Sequence, residues 1–168
     1  MILKGKADTS MLMKAVLDKE QGLRTNSILS DVLVYEHPQK LILLSDGGIN
    51  LYPEIQEKIA IVNNAVKVAL AMSIEMPKVA LLAAVEKVNP KMQCTLDASL
   101  ISKMNQRKQI PNCIVDGPFA FDNAVDEEAA KMKGIDSPVA GKADVLIVPN
   151  IEAGNIFAKS LTYYCRYR

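Results

Sequence analysis

The chain has 168 residues, 49% hydrophobic and 23% charged, which is ordinary for a globular protein and enough for one domain with its own core, or one domain and part of another. With 20 basic and 19 acidic residues the net charge is +1, which excludes a whole-chain attraction to nucleic acid or to an anionic lipid surface. His37 is the only histidine, so a metal site with two histidine ligands is excluded, and Cys94, Cys113 and Cys165 lack CxxC spacing, which fits a reduced, cytoplasmic setting without a disulfide framework.

The opening MILKGKADTS has no apolar run behind its lysines and does not read as a secretory signal. No segment approaches the ~18–20 apolar residues of a membrane span. Residues 8–18 predict a helix capped by Asp8, Thr9 or Ser10, with Leu12, Met13, Val16 and Leu17 as its apolar stripe. A Thr/Ser-rich helix start behind Lys4-Gly5-Lys6 can hold a phosphate, or it can be an ordinary capped helix. Residues 28–36 and 40–46 read as two strands joined by His37-Pro38-Gln39, a hairpin signal, with His37 as an exposed turn residue and Asp46-Gly47-Gly48 ending the second strand.

Residues 53–73 give the clearest helix. Pro53 suits the first turn, Glu54 and Glu57 complement the dipole, and Ile55, Ile59, Val62, Val66 and Leu70 recur at helical spacing with Asn63, Asn64 and Lys67 outward. The continuous apolar run 78–85 predicts a central strand buried on both faces. A helix from about Leu96 to Gln106 follows, capped by Thr95, with Asp97 in its first turn and Leu100, Ile101 and Met104 inside. Cys113–Val115 predicts a strand ending at Asp116-Gly117-Pro118. Helical pieces from Phe119 to Asp122 and from Glu127 to Lys133 come next, the second capped by Asp126 and stopped by Gly134. A strand at 144–148 and a helix from Ile151 to about Tyr163 complete the pattern. Alternating strands and helices define an α/β fold: a mixed, mostly parallel sheet with helices on both faces and an antiparallel hairpin.

No GxGxxG, Walker loop, GxSxG or HExxH is present, so nicotinamide, P-loop, hydrolase-elbow and zinc-protease chemistries have no motif behind them. Polar groups remain at predicted strand ends, where open α/β sheets bind ligands. Asp116 and Asp122 flank one turn, and Asn89, Lys91, Glu152 and Asn155 fall on the same rim. These carboxylates can take a proton or orient a substrate, and they can equally cap helices. Cys113, inside an apolar run, reads as a buried thiol.

The stretches GKADTSMLMKAVLDKEQGLR, LLSDGGINLYP, KVALLAAVEKVNPKM, IVDGPFAFDNA, GIDSPVAGKADVLIVPNIEAGN and IFAKSLTY occur in one order through about Tyr163. With them the chain resembles the phosphate butyryltransferase and phosphate acetyltransferase family, and the GKADTS and VNPKM forms resemble its butyryl branch. The resemblance implies reversible acyl transfer between coenzyme A and phosphate, with acyl-CoA, phosphate and acyl phosphate as substrates and no further cofactor or metal. It also implies a cytoplasmic protein with no nucleic-acid or membrane partner, acting as a homodimer or larger homo-oligomer. The implied fold is the second domain of a two-domain architecture like that of isocitrate and isopropylmalate dehydrogenases. Residues 1–27 would be a remnant of the first domain and the connection, 28–163 the second α/β domain, and 164–168 a divergent tail.

Carried over from the family, the substrate-binding positions are Asp8, Thr9, Ser10 and Lys14 near phosphate, Asp116, Gly117, Pro118 and Asp122 in the DGP turn, and Glu152, Gly154 and Asn155 at the EAGN helix start. The family's Ser-Arg and aspartate region would follow Tyr163, so no catalytic base is named here. The expectation is a phosphate acyltransferase portion cut at both ends, with a non-catalytic CoA-binding or dimerising module as the alternative.

Overall fold

In the computed structural model, which describes residues 4–25, 27–38 and 40–166, the chain enters through α1 (Thr9–Val16). Asp8 caps it, its carboxylate accepting from the Ser10 N–H at 3.3 Å. No residue of α1 is buried. Its expected stripe is only half-covered, and Leu17 is exposed. Gln39 of the expected hairpin loop and Tyr167 and Arg168 of the expected tail lie outside the described residues.

The hairpin is present. β1 (Leu33–His37) pairs antiparallel with β2 (Lys40–Ser45), Tyr35 opposite Ile42. His37 is taken into the strand opposite Lys40 instead of standing in the loop, and residues 28–32 are not strand. The remaining strands, β3 (Lys78–Leu82), β4 (Ile114–Phe119) and β5 (Val145–Ile147), join in the order β1-β2-β5-β3-β4, parallel to β2 and to one another.

From β2 to β3 to β4 the chain moves one way across the sheet; from β4 to β5 it returns. Right-handed crossovers then put the two sets of helices on opposite faces. α2 (Ile55–Ala71) and α3 (Gln93–Gln106) cover one face, where Ile61, Val62, Ala65 and Ile101 pack on Leu43, Val79 and Val145. α4 (Phe121–Val125), α5 (Glu127–Met132) and α6 (Ile151–Tyr163) cover the other, with Ala124, Ala130 and Leu161 against Leu44, Ala80 and Leu146. Every residue of β5 is buried, which explains its uninterrupted Val-Leu-Ile run. Each large apolar side chain removed from water here contributes about 1.5–3 kcal/mol.

Several boundaries differ from the sequence expectation, each for a packing reason. The apolar run 78–85 is strand only to Leu82. α3 starts at Gln93, so Thr95 lies inside it, fully buried; its hydroxyl bonds the Asn89 N–H and the Asn89 and Met92 carbonyls, tying the preceding loop to the helix. Leu100 and Leu70, expected inside, are exposed, whereas Asn64, expected outside, donates its amide to Ile28 O and Ser30 Oγ.

The largest correction concerns Asp116-Gly117-Pro118, which does not end the strand but lies within β4, and Phe119 is its last residue rather than a helix start. Ala80 pairs with Asp116 while Leu82 pairs with Phe119, so β4 accommodates one extra residue there. A Cβ on Gly117 would lie 2.7 Å from the Leu81 carbonyl oxygen, a contact only glycine permits.

The segment DSPVAGKADVL has a structural job. Asp144 accepts from Lys40 Nζ at 2.8 Å on one oxygen and from the Lys78 N–H at 2.9 Å on the other, clamping the starts of β2 and β3 on either side of β5. Gly141, with φ of +71°, lies where a Cβ would meet Glu127 Cα at 2.5 Å, so α5 can close over the loop.

Candidate functional site

The carboxyl ends of the four parallel strands lie on one edge of the sheet, and a cavity of about 680 Å³ opens there. The N-terminal turns of three helices face it: Pro53–Ile55 and Lys58 from α2, Met92–Cys94 and Asp97 from α3, and Pro149-Asn150 ahead of α6. Ala84, after β3, and Tyr52 complete the wall. The position follows from topology, because β3 and β5 flank the point where the direction of strand addition reverses.

Two of the three helix starts are closed by the chain itself. Glu54 and Glu57 form a capping box at α2, the Glu57 carboxylate accepting from the Glu54 N–H at 2.8 Å. Asn150 Oδ1 accepts from the Ala153 N–H at α6. The start of α3 has no side-chain cap.

Within the wall Lys58 Nζ stands 2.6 Å from Asp97 Oδ2, and both residues are buried. Gln93 Nε2 donates to the other Asp97 oxygen at 2.8 Å. Asp97, expected as a first-turn dipole partner, is instead half of an ion pair joining α2 to α3. Lys58 was not foreseen. Its signal was position: it lies on the stripe that also carries Ile61, Val62 and Ala65, where a solvated lysine does not belong.

A strap from Asp46 to Pro53 leads into this wall. The Asp46 carboxylate accepts from the N–H groups of Gly48, Ile49 and Asn50 at 2.9, 3.0 and 3.1 Å, and from the Asn50 side chain. α6 holds the strap from the other side. Asn155 Nδ2 donates to Gly47 O at 3.1 Å, the Ile151 N–H to Leu51 O at 3.0 Å, and the Tyr52 hydroxyl to Glu152 Oε1. That hydrogen bond and the carboxylate's charge raise the Tyr52 pKa, keeping the phenol protonated. Gly154 packs so closely that a Cβ would meet Gly47 Cα at 2.7 Å.

The residues nominated from sequence therefore separate into three places. Glu152, Gly154 and Asn155 brace the strap at the cavity. Asp116, Gly117 and Pro118 sit in β4, where the Asp116 carboxylate accepts from the Gly117 N–H at 2.8 Å, and Asp122 is exposed in the first turn of α4; none of these lines the cavity. Asp8, Thr9, Ser10 and Lys14 are exposed on α1, with Ser10 and Lys14 bordering a separate, shallow depression. Cys113 is buried as expected, and burial pushes its thiol pKa up to about 11. Cys94, by contrast, is half-buried in the cavity wall.

By its fold the chain is similar to solved phosphotransacylases. A branched-chain phosphotransacylase from Enterococcus faecalis is similar in structure with a TM-score of 0.90 and 38% sequence identity, over 97% of this chain and 59% of that one. The chain belongs to the phosphate acetyl/butyryl transferase family: the family description "Phosphate acetyl/butaryl transferase" matches residues 1–168. A phosphate butyryltransferase of Clostridium acetobutylicum is 53% identical over 165 residues, 97% of this chain and 55% of the relative. A phosphate acetyltransferase of Thermotoga maritima is 51% identical over 167 residues, 98% of this chain and 57% of the relative. The chain thus spans about half the length of the curated relatives it matches.

Proposed function

We propose that the chain supplies one wall of a site for reversible acyl transfer between coenzyme A and phosphate, with butyryl as the preferred acyl group. Family membership over residues 1–168 carries this reading. The coenzyme A thiol, once deprotonated, attacks the carbonyl of the acyl phosphate; the tetrahedral oxyanion collapses and phosphate leaves. In the opposite direction a phosphate oxygen attacks the thioester and the thiolate leaves. Donors aimed at the developing oxyanion lower this barrier, and the uncapped start of α3 is a source of such donors in the cavity wall.

Both carboxylates of the cavity are already engaged, Asp97 by Lys58 and Gln93, Glu54 in the capping box. The thiol's base therefore comes from outside this wall. The butyryl preference rests on the GKADTS and VNPKM segments, since the butyryl- and acetyl-named relatives are equally similar at 53% and 51% identity. On the same reading residues 28–163 form the second α/β domain, 1–27 a remnant of the first domain and the connection, and 164–168 a divergent tail, in a cytoplasmic homodimer or larger homo-oligomer. The substrates are acyl-CoA, phosphate and acyl phosphate, and no further cofactor is needed. Among the described residues no helix is long and apolar enough to cross a membrane.

The test is a calorimetric titration with coenzyme A together with thiol release from butyryl-CoA in phosphate, run beside a full-length relative. The expected result is coenzyme A binding by the 168-residue chain with little or no turnover. No coenzyme A binding would sink the acyl-transfer reading, and robust turnover would sink the statement that the base lies elsewhere.

A further inference from the structure

We propose that a trough beside α2, between α1 and the segment from Leu23 to Ser30, binds a free carboxylate that carries an alkyl chain. The chain lies on the apolar floor, and Arg24 and Lys67 meet the carboxylate. This site stands independently of the acyl-transfer reading.

Two adjoining cavities make up the trough. One, of about 790 Å³, lies between α1, residues 23–30 and α2. The other, of about 590 Å³, runs along α2 to Pro111-Asn112. They share Thr25, Ser27, Ile28 and Lys67, and neither has a lining residue in common with the cavity at the carboxyl edge of the sheet. Both volumes fall in the roughly 300–1,000 Å³ range of small-molecule pockets.

Charge selects the head group. The chain carries 19 acidic residues against 20 basic ones, yet Arg24 and Lys67 are the only charged side chains among the described residues lining either cavity. Both are exposed, and neither enters an ion pair among the described residues. An anion placed there meets two unpaired positive charges and no carboxylate, whereas a cation is repelled. The neutral polar groups between them are engaged elsewhere. Asn64 donates to Ile28 O at 2.9 Å and to Ser30 Oγ at 3.0 Å, the Ser27 hydroxyl donates to Asn64 Oδ1 at 3.3 Å, and the Asn50 amide donates to Leu29 O at 2.9 Å. These bonds fix residues 27–30 on α2 and on the strap, so the trough is formed before a ligand arrives.

The floor selects an alkyl chain. Met13, Val16, Leu23, Ile28, Val32 and Val68 line the larger cavity. Leu23 is 65% exposed and no residue of α1 is buried, which leaves apolar surface open to water. A chain laid on it withdraws that surface and its own, and each methylene group buried tightens binding about fourfold. A small inorganic anion gains nothing from the floor, and an uncharged chain gains nothing from the two cations.

Calorimetric titration of the 168-residue chain with monomeric octanoate and decanoate tests the site. The expected result is one site per chain, with decanoate bound about fifteenfold more tightly than octanoate. Octan-1-ol should bind at least about tenfold more weakly than octanoate, and decyltrimethylammonium and inorganic phosphate should give no binding. Arg24→Glu and Lys67→Glu, both at exposed positions, should each weaken decanoate about tenfold or more. Salt at about 1 M, where the Debye length is about 3 Å, should weaken it on the native chain too.

Equal affinity for octanoate and decanoate would overturn the floor, and equal affinity for octan-1-ol and octanoate would overturn the head-group assignment. Binding to phosphatidylglycerol vesicles without binding to monomeric decanoate would replace the site with a membrane-facing surface. A dimer in light scattering that Leu23→Glu dissociates, with no decanoate bound, would assign the face to a second copy of the chain. None of these outcomes touches coenzyme A binding, which decides the acyl-transfer reading separately.

Discussion

The Lys58 ammonium and the Asp97 carboxylate meet at 2.6 Å with 9% and 7% of their side chains exposed, linking the N-terminal turns of α2 and α3 inside the cavity wall. Two charges taken out of water are costly, and their attraction offsets that cost only while both are present. Asp97→Ala should therefore destabilise the chain by about 3–5 kcal/mol, because an uncompensated ammonium remains buried. The double replacement Lys58→Met with Asp97→Leu should recover most of the loss. Urea denaturation of the three proteins checks this; a double variant as unstable as Asp97→Ala would contradict it.

The contact between Gly154 and Gly47 makes α6 intolerant of a side chain at its fourth residue. A methyl group there would meet Gly47 Cα at 2.7 Å, Val148 Cγ2 at 2.8 Å and Asp46 O at 3.0 Å. Two of those atoms are backbone and cannot swing aside. Gly154→Ala should cost about 1–3 kcal/mol through overpacking. Asn155→Ala removes only the hydrogen bond to Gly47 O and should cost about 0.5–1.5 kcal/mol. Thermal or chemical denaturation that ranks the pair the other way would show that the strap yields easily.

Asn123 is fully buried on α4, and neither polar atom of its side chain has a hydrogen-bond partner. Burying such groups unpaired is unfavourable, so an apolar residue of similar volume removes a penalty. Asn123→Leu should leave stability unchanged or raise it by about 1 kcal/mol. A large drop in melting temperature would mean instead that the amide holds a buried water in solution.

Asp31 lies against Gly48, near Asp46, and its pKa is raised from 3.8, first by burial and then by the Asp46 charge. A carboxyl whose folded pKa is raised binds its proton more tightly in the folded state. Its favourable contribution is complete below the unfolded value and is lost as pH rises through the folded value. Above that folded value the ionised group is a liability. Asp31→Asn should be more stable than the parent at pH 7, with the difference shrinking as pH falls toward the ordinary carboxylate range. Melting curves across that interval test the sign; a gap that widens on acidification would refute it.

The order of elements followed from local pattern because each segment carries its own signal. The 3.6-residue spacing in α2, the apolar run of β3, Asp126 as a helix cap, and the hairpin around Pro38 need no knowledge of the partner strand or helix. Burial on both faces likewise made β5 readable as an apolar run. Ends were less secure wherever a tertiary contact overrode the local cue. Thr95 looked like a cap because capping residues usually start helices, but its hydroxyl is used to hold the Asn89 loop. Asp116-Gly117-Pro118 looked like a turn by composition, yet pairing with β3 keeps it extended as a bulge.

The candidate site divides along the same line. By itself the sequence determined the α/β class and the family, because these depend on short segments and on the order in which they occur. Tertiary structure alone decided that Lys58 of α2 and Asp97 of α3, 39 positions apart, share one cavity wall, and that Asp116 and Asp122 do not. The physical reason is that strand order, not chain order, sets which loops meet. Placing β5 between β2 and β3 brings three helix starts together and leaves the end of β4 to one side.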